Sequence, residues 1–488
     1  MADLDVKLPV GRLIFGYAIL IVLLALVTVA THVVPAGLYD RAERIDEDTG
    51  SVMEVIVPDS YEETDQNPQG VVDAVYSPIK ALYYKGPIGA VLVIFITFIG
   101  GSFMAMRRTG ALDAGVLHFI KRFEGREYLV IPIMMIFFSL FGSLFGIMEE
   151  LVPFIIIVVP MAIAMGYDSI VGLMMIFGAC AVGFTAAMTN PFTLGVAQGI
   201  AELPLFSGLL FRLVVWAVMI GAAIAYTSWY ARRVKRDPQK SIVKDFDADF
   251  REDFEAIEKE HPEFTKAHKR VVWVIGVLVV LLLAIIISGQ YLFPEFMRQN
   301  VFILAFVIFL TMGVLSGLLG GLGGLGTLRA FGKGILTFLP ATLLILLARS
   351  IYVVADEGLI MDTLLFTLSG FVGNFGTVAA SWAMLLVQTV INFFIPSGSA
   401  QAMVSIPVMV PLGELLDITR QTSVLAFQMG DGFSNIFWPT NPMLIVAISL
   451  AGVSWTKWAR FILPLQVILM VIGCAVLSVA VMIEWGPF

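Results

Sequence analysis

Charged residues are scarce in this chain. Only 14% of its 488 residues are Asp, Glu, Lys or Arg, against about 25% in a soluble globular protein. Cysteine occurs twice, at Cys180 and Cys474, and histidine four times, at His32, His118, His261 and His268. Both cysteines lie in apolar runs, so there is no disulfide framework, and neither residue type shows metal-ligand spacing. The formal net charge of −8 excludes a polybasic lipid-binding role for the chain as a whole. What fills the sequence is apolar: 59% of residues are hydrophobic, in repeated runs of about twenty, enough to cross a bilayer. A soluble enzyme, a nucleic-acid binder and a disordered scaffold are all excluded. The expectation is an all-α polytopic membrane protein.

Hydropathy predicts spans over 12–34, 86–106, 208–231, 271–293, 300–318, 335–354 and 459–484. The first is long enough to cross and lacks a small-residue cleavage site, so it reads as a span and not a signal. The acidity sits in two polar segments, 36–84 and 237–263. Two longer apolar stretches, 127–203 and 376–453, are interrupted by Gly, Pro, Asn, Thr and acidic residues. Irregular backbone at membrane depth survives only where protein or a water-filled cavity covers it. Each stretch is therefore expected to hold a re-entrant hairpin followed by a broken helix, nine full spans and two hairpins in all. The basic positions Arg107, Arg108, Lys121, Arg122 and Arg126, and then Arg232, Arg233, Lys235 and Arg236, mark cytoplasmic sides. That places the N-terminus inside and the C-terminus outside.

The interrupted stretches align at one offset of 251. Thr189-Asn190-Pro191 falls on Thr440-Asn441-Pro442, and Pro160 falls on Pro411. The span at 271–293 turns the second unit over relative to the first. Inverted repeats with interrupted helices at matching places are the signature of secondary transporters, whose sites lie where hairpin tips meet helix breaks.

Four motifs carry the candidate chemistry. The first tip holds Glu149 and Glu150 in mid-membrane sequence, where an ionisable group is a functional hypothesis by default; capping the following helix is the bland alternative. The first break contains Thr185, Thr189 and Asn190 before Pro191, whose ring disfavours helix and frees carbonyls; an ordinary proline kink is its alternative. The second tip, with Asn392, Ser397, Gly398, Ser399 and Gln401, offers backbone amides and small polar donors suited to a carboxylate, or else is a plain turn between two full spans. The second break gathers Asp431, Ser434, Asn435, Thr440 and Asn441, oxygen-bearing side chains of the kind hard cations prefer. Gly146, Thr185, Asp431 and Ser434 are the candidate sodium ligands, and the others are candidates for substrate. Arg349 either meets an anion or snorkels toward Asp356. The string Gly321-Leu322-Gly323-Gly324-Leu325-Gly326 spells a dinucleotide fingerprint but follows a membrane helix and not a strand. Gly332-Lys333 does not complete a phosphate-binding loop. No catalytic base stands with a nucleophile or a metal set, so no enzyme is expected.

The segments 145–154, 189–192, 392–401 and 420–432 together resemble the YfcC family of the C4-dicarboxylate anaerobic carriers (DcuC-like), within the ion transporter superfamily. The resemblance covers nearly the whole chain except 36–84 and 237–263. It implies a prokaryotic inner-membrane secondary carrier, a homodimer in which the hairpin domain moves as an elevator against a scaffold, often with sodium. Dicarboxylate carriers of the superfamily place Ser-Asn-Thr at their tips, whereas this chain has Met148-Glu149-Glu150 and Ser397-Gly398-Ser399. Two glutamates and Asp431 suit a substrate carrying an amino group, unless sodium or protons neutralise them.

The expected division is scaffold over 1–126, a first transport half over 127–207, and scaffold with a cytoplasmic linker over 208–299. Second-repeat scaffold then covers 300–375, a second transport half 376–455, and a last scaffold helix 456–488. The expected function is sodium- or proton-coupled transport of a small carboxylate-bearing metabolite, a C4-dicarboxylate or an amino acid. A cation/proton antiporter without organic substrate and a channel are the alternatives. No cofactor is expected beyond Na+ as a coupling ion, and the expected partners are a small-molecule substrate and the lipid bilayer.

Overall fold

The computed structural model describes residues 10–45, 52–112, 114–115, 118, 125–248 and 264–486. Lys121 and Arg122 of the first basic segment, and residues 249–263 of the second acidic one, lie outside the described residues. The chain is an all-α polytopic membrane protein. Eight helices among the described residues are long and apolar enough to cross a membrane. Two of these, Glu127–Phe145 and Thr377–Phe394, are the first limbs of the interrupted stretches.

The first helices are α1 (Val10–Val33), α2 (Val71–Lys80) and α3 (Ile88–Arg108). The first interrupted stretch begins with α4 (Val130–Leu140), continued by a wide turn at Phe141–Phe145. A tight helical turn, Glu149–Phe154, leads into α5 (Ile155–Ala164). Then come α6 (Ser169–Leu173) and α7 (Ala179–Thr185), joined through Met174–Gly178. After a break, Pro191–Gly195 opens α8 (Val196–Ile200), and α9 (Leu209–Arg236) closes the unit. The connecting helices are α10 (Lys266–Leu292), α11 (Pro294–Leu319), α12 (Gly323–Glu357) and α13 (Met361–Val372). The second interrupted stretch is α14 (Thr377–Phe394), α15 (Gly398–Leu415), α16 (Arg420–Phe437) and α17 (Pro442–Leu450), closed by α18 (Trp455–Met482).

The repeat read from the sequence is present element by element. Limb, tip, limb, broken helix and closing helix recur in the same order, and α9 and α18 are both 28 residues long. Packing repeats as well: α1 lies on α12 as α11 lies on α3, while α3 packs against α12 and α7 against α16. On this pairing α10 is the unmatched helix. The α12 helix differs from expectation: it runs 35 residues, because the glycine-rich 323–334 stretch continues the helix. There Gly334 lets α12 approach α3, and a Cβ on it would lie 2.4 Å from the carbonyl oxygen of Gly100.

The polar 36–84 segment is more ordered than its composition suggests. It forms β1 (Gly37–Leu38) with β4 (Glu62–Glu63), and an antiparallel hairpin of β2 (Arg41–Ile45) with β3 (Val52–Ile56). Arg41 Nη2 lies 2.9 Å from Asp362 Oδ2, and the Tyr39 amide donates to the same oxygen at 3.0 Å. The Tyr61 ring stacks on Phe366 at 4.2 Å, and Val55 joins the apolar cluster of Ile406 and Val410 on α15. Removing Arg41 leaves the buried Asp362 carboxylate without its cation. Arg41→Ala is expected to cost about 2 kcal/mol, the range for a charge-assisted hydrogen bond, read as a lower thermal unfolding midpoint in detergent. An unchanged midpoint would show that the pair is solvated.

Arg349 is half-buried beside the end of α2. Its Nε donates to the carbonyl oxygen of Ala81 at 3.3 Å, just past the end of α2. Asp356 instead pairs with Lys85 at 2.7 Å and accepts from the Tyr84 hydroxyl at 2.6 Å.

Candidate functional site

Both helix breaks are built the same way from Asn-Pro. Asn190 is the N-cap of the turn that opens α8, its Oδ1 accepting from the Phe192 and Thr193 amides, with Pro191 in the first helical position. Asn441 does the same for α17, accepting from the Met443 amide ahead of Pro442. A side-chain acceptor satisfies an orphan amide at a helix start, and proline loses nothing at the first position. The break is thus written locally in each half.

The first tip ends where Gly146 adopts φ +66°. The Ile147 amide reaches back to the carbonyl of Phe141 and the Gly146 amide to Gly142, the pattern of a helix stopped by a left-handed residue. Gly146 is required on a second count, because a Cβ there would lie 2.2 Å from Asn190 Oδ1. Tip and break are further laced together. The Met188 and Thr189 amides donate to the Ser143 carbonyl, the Ser143 hydroxyl to Ala186, and the Thr189 hydroxyl to Leu144. Glu149 is half-buried. Glu150 is only 5% exposed and its Oε2 has no partner. The turn carrying both glutamates packs against α17 and α3.

The second tip, 395–397, docks against the middle of the α16–α17 pair. Asp431 is fully buried; its Oδ1 accepts from Asn392 Nδ2 and, at 3.4 Å, from Asn435 Nδ2. Its Oδ2 has no partner. Asn392 Nδ2 is also shared with Gln401 Oε1 at 2.9 Å, and Gln401 Nε2 donates to Gln388 Oε1 at 2.7 Å. Asn441 Nδ2 closes the chain on Asn435 Oδ1 at 2.9 Å. Six side chains thus form one buried polar thread across tip and break. Ser397 occupies the N-cap position of α15 without making the side-chain bond; it is exposed, while Gly398 and Ser399 are half-buried.

The two halves meet at Gly398. A Cβ on it would lie 2.2 Å from Thr193 Cγ2 and 2.9 Å from Asp431 Oδ2. Thr185 likewise abuts Gly432, where a Cβ would lie 2.3 Å from the Thr185 Cα. The expected sodium ligands are thereby distributed. Gly146 sits on Asn190 and Thr185 beside Gly432, while the Ser434 hydroxyl donates to the Gly430 and Asp431 carbonyls and the Thr185 hydroxyl to Ala181.

Buried polar atoms are almost always partnered, so unpartnered ones ask for an ion, a ligand or water. Among the described residues such atoms include Glu150 Oε2, Asn190 Nδ2, Thr193 Oγ1, Asn392 Oδ1, Ser405 Oγ, Asp431 Oδ2 and Thr440 Oγ1. Of these seven, all but Ser405 Oγ, on the second limb of the second hairpin, fall at the tips and breaks; others lie elsewhere, among them Ser102 Oγ, Trp216 Nε1, Ser316 Oγ and Gln466 Oε1. The sequence motifs do not include Thr193, Gln388 or Ser405. Gln388 carries a usable signal: it lies one helical turn before Asn392, on the same face of α14.

Residues 14–482 match the family described as C4-dicarboxylate anaerobic carrier, DcuC. Over 467 residues the chain is 32% identical to an Escherichia coli (strain K12) protein bearing the name "Putative basic amino acid antiporter YfcC", covering 89% of this chain and 90% of that one. A Haemophilus influenzae protein is 26% identical over 432 residues, covering 88% and 82%. Among solved structures, the Alcanivorax borkumensis YdaH transporter is 16% identical with a TM-score of 0.44, covering 96% of this chain and 99% of that chain. The Neisseria gonorrhoeae MtrF structure is 14% identical with a TM-score of 0.42, covering 95% and 94%. With the match running almost from end to end, this membrane transporter belongs to the C4-dicarboxylate anaerobic carrier (DcuC) family.

Proposed function

We propose that the protein is a cation-coupled secondary active transporter of a small carboxylate-bearing metabolite, with its site between the two hairpin tips and the two breaks. The carrying observation is that six unpartnered buried polar atoms stand there, including one oxygen each of Glu150 and Asp431. In this reading Gly398 and Ser399 present amides of the α15 N-terminus, and Ser397 its hydroxyl, to a substrate carboxylate. Asp431 binds sodium or a proton, and Glu149 and Glu150 meet either a coupling cation or an amino group of the substrate. The acidic set and the name of the Escherichia coli relative both favour an amino acid over a plain C4-dicarboxylate. Residues 127–207 and 376–455 form the moving body. The helices of 1–126, 208–299, 300–375 and 456–488 form the scaffold of an elevator in a prokaryotic inner membrane, as a homodimer with the N-terminus inside and the C-terminus outside.

The test is uptake by purified protein in liposomes. Labelled succinate, aspartate and arginine are compared, each with and without an inward sodium gradient and with unlabelled solute preloaded. Saturable, gradient- or exchange-driven accumulation of one solute is expected. Linear, non-saturating flux would indicate a channel, and no uptake of any solute by folded protein would overturn an organic substrate of this class. Glu150→Gln is expected to lower the initial rate at least about tenfold, or about 1.4 kcal/mol, with the unfolding midpoint held. Wild-type rates in that variant would remove Glu150 from the site.

A further inference from the structure

Arg212 is a buried cation that the transport site does not use. It is the fourth residue of α9 and is 1% exposed. Its Nη2 makes one long contact, 3.4 Å to Gln421 Oε1, while Nε and Nη1 have no partner. No carboxylate among the described residues pairs with it. The nearby acids Glu202 and Glu414 are engaged by Arg420, at 3.0 and 2.5 Å. The Trp485 ring covers one face of the guanidinium at 5.2 Å.

The surrounding wall is polar and internally satisfied. Gln198 Nε2 donates to the Ser207 carbonyl at 3.1 Å and its Oε1 accepts from the Phe206 amide at 2.6 Å. Gln421 Nε2 donates to the Ser207 hydroxyl. This wall offers no negative charge. Counted from its start, the fourth residue of α18, the helix that matches α9, is instead the neutral Trp458, fully buried with its indole nitrogen donating to the Ile436 carbonyl at 2.8 Å.

A guanidinium out of water without a counter-charge is costly, and a ring face returns only a small part of that. Its planar fork is shaped to hold an acceptor anion. We propose that Arg212, backed by Trp485 and Gln421, is a binding site for a small monovalent anion, either chloride or a carboxylate group, where α9 meets the start of α16. The site is separate from the hairpin tips and independent of the substrate carried there.

The full chain, purified in detergent with methanesulfonate as the bulk anion, is titrated with chloride and separately with acetate at constant ionic strength. The unfolding midpoint is then followed. A saturable rise of several degrees with one of them is expected in wild type and absent in Arg212→Gln; the anion that acts identifies the source. A wild-type midpoint indifferent to both would overturn the proposal, since the charge is then met by the chain itself. So would an equal rise in Arg212→Gln. If that variant does not fold, Arg212→Lys keeps the charge and loses the fork. It is expected to weaken the response at least tenfold, and an unchanged titration would again overturn the site.

Discussion

Liposomes carrying Asp431→Asn are expected to take up substrate about 100-fold more slowly than wild type, with what uptake persists no longer responding to the cation gradient. Asp431 is fully buried and holds one unpartnered oxygen, and such a carboxylate needs a cation or a proton to be tolerated. The amide keeps the shape and can still accept from Asn392 through its carbonyl oxygen, so folding is expected to hold. What disappears is the charge. A 100-fold loss corresponds to about 2.7 kcal/mol of lost stabilisation, within the range of a charged hydrogen-bonding partner removed from an interior. The measurement is initial rate against sodium concentration and pH in matched liposomes. Wild-type rates with the wild-type ion dependence would take Asp431 out of the coupling site.

Gly183→Ala is expected to produce the gravest loss of stability of any single methyl. A Cβ at Gly183 would lie 1.9 Å from the Ser139 carbonyl oxygen, and one at Gly142 would lie 2.0 Å from that of Cys180. In both cases the obstacle is backbone, so no rotamer change relieves it; α4 and α7 must separate. Overpacking of this kind costs about 3 kcal/mol or more. Separation also pulls on the Ser143 carbonyl that anchors Met188 and Thr189, so the first tip loosens from its break. Gly221→Ala and Gly276→Ala meet open space and serve as controls. Midpoints of thermal unfolding for wild type and the three variants test this, and a Gly183→Ala midpoint equal to the controls would refute the close approach.

Short-range physics is legible in the amino-acid sequence alone. Membrane character follows from run length and the scarcity of charge. The breaks at 186–190 and 438–441 follow from Asn-Pro, because capping and the missing proline amide act within a few residues. The repeat follows from matching those local signals, and the fold extends it to every element between α4 and α9 and between α14 and α18. The tip at Gly146 follows in position, though not in its second reason, the pressure of Asn190.

Pairings between separate elements are decided only by packing. Gln401 reads as a donor for substrate, and the partners that hold its amide, Gln388 and Asn392, are set by how α14 meets α15. Thr193 belongs to none of the sequence motifs, yet it meets Gly398 across the two halves. Arg349 has no partner legible in the sequence, and packing brings it the carbonyl of Ala81. The acidic 36–84 segment reads as a plain loop, but Arg41 and Tyr61 fasten it to α13. Nothing in the sequence marks Arg212, because a single arginine near the start of an apolar helix looks like one that reaches water. Hydropathy and capping are properties of a few neighbouring residues, whereas a partner, or the want of one, depends on which distant helix lies alongside.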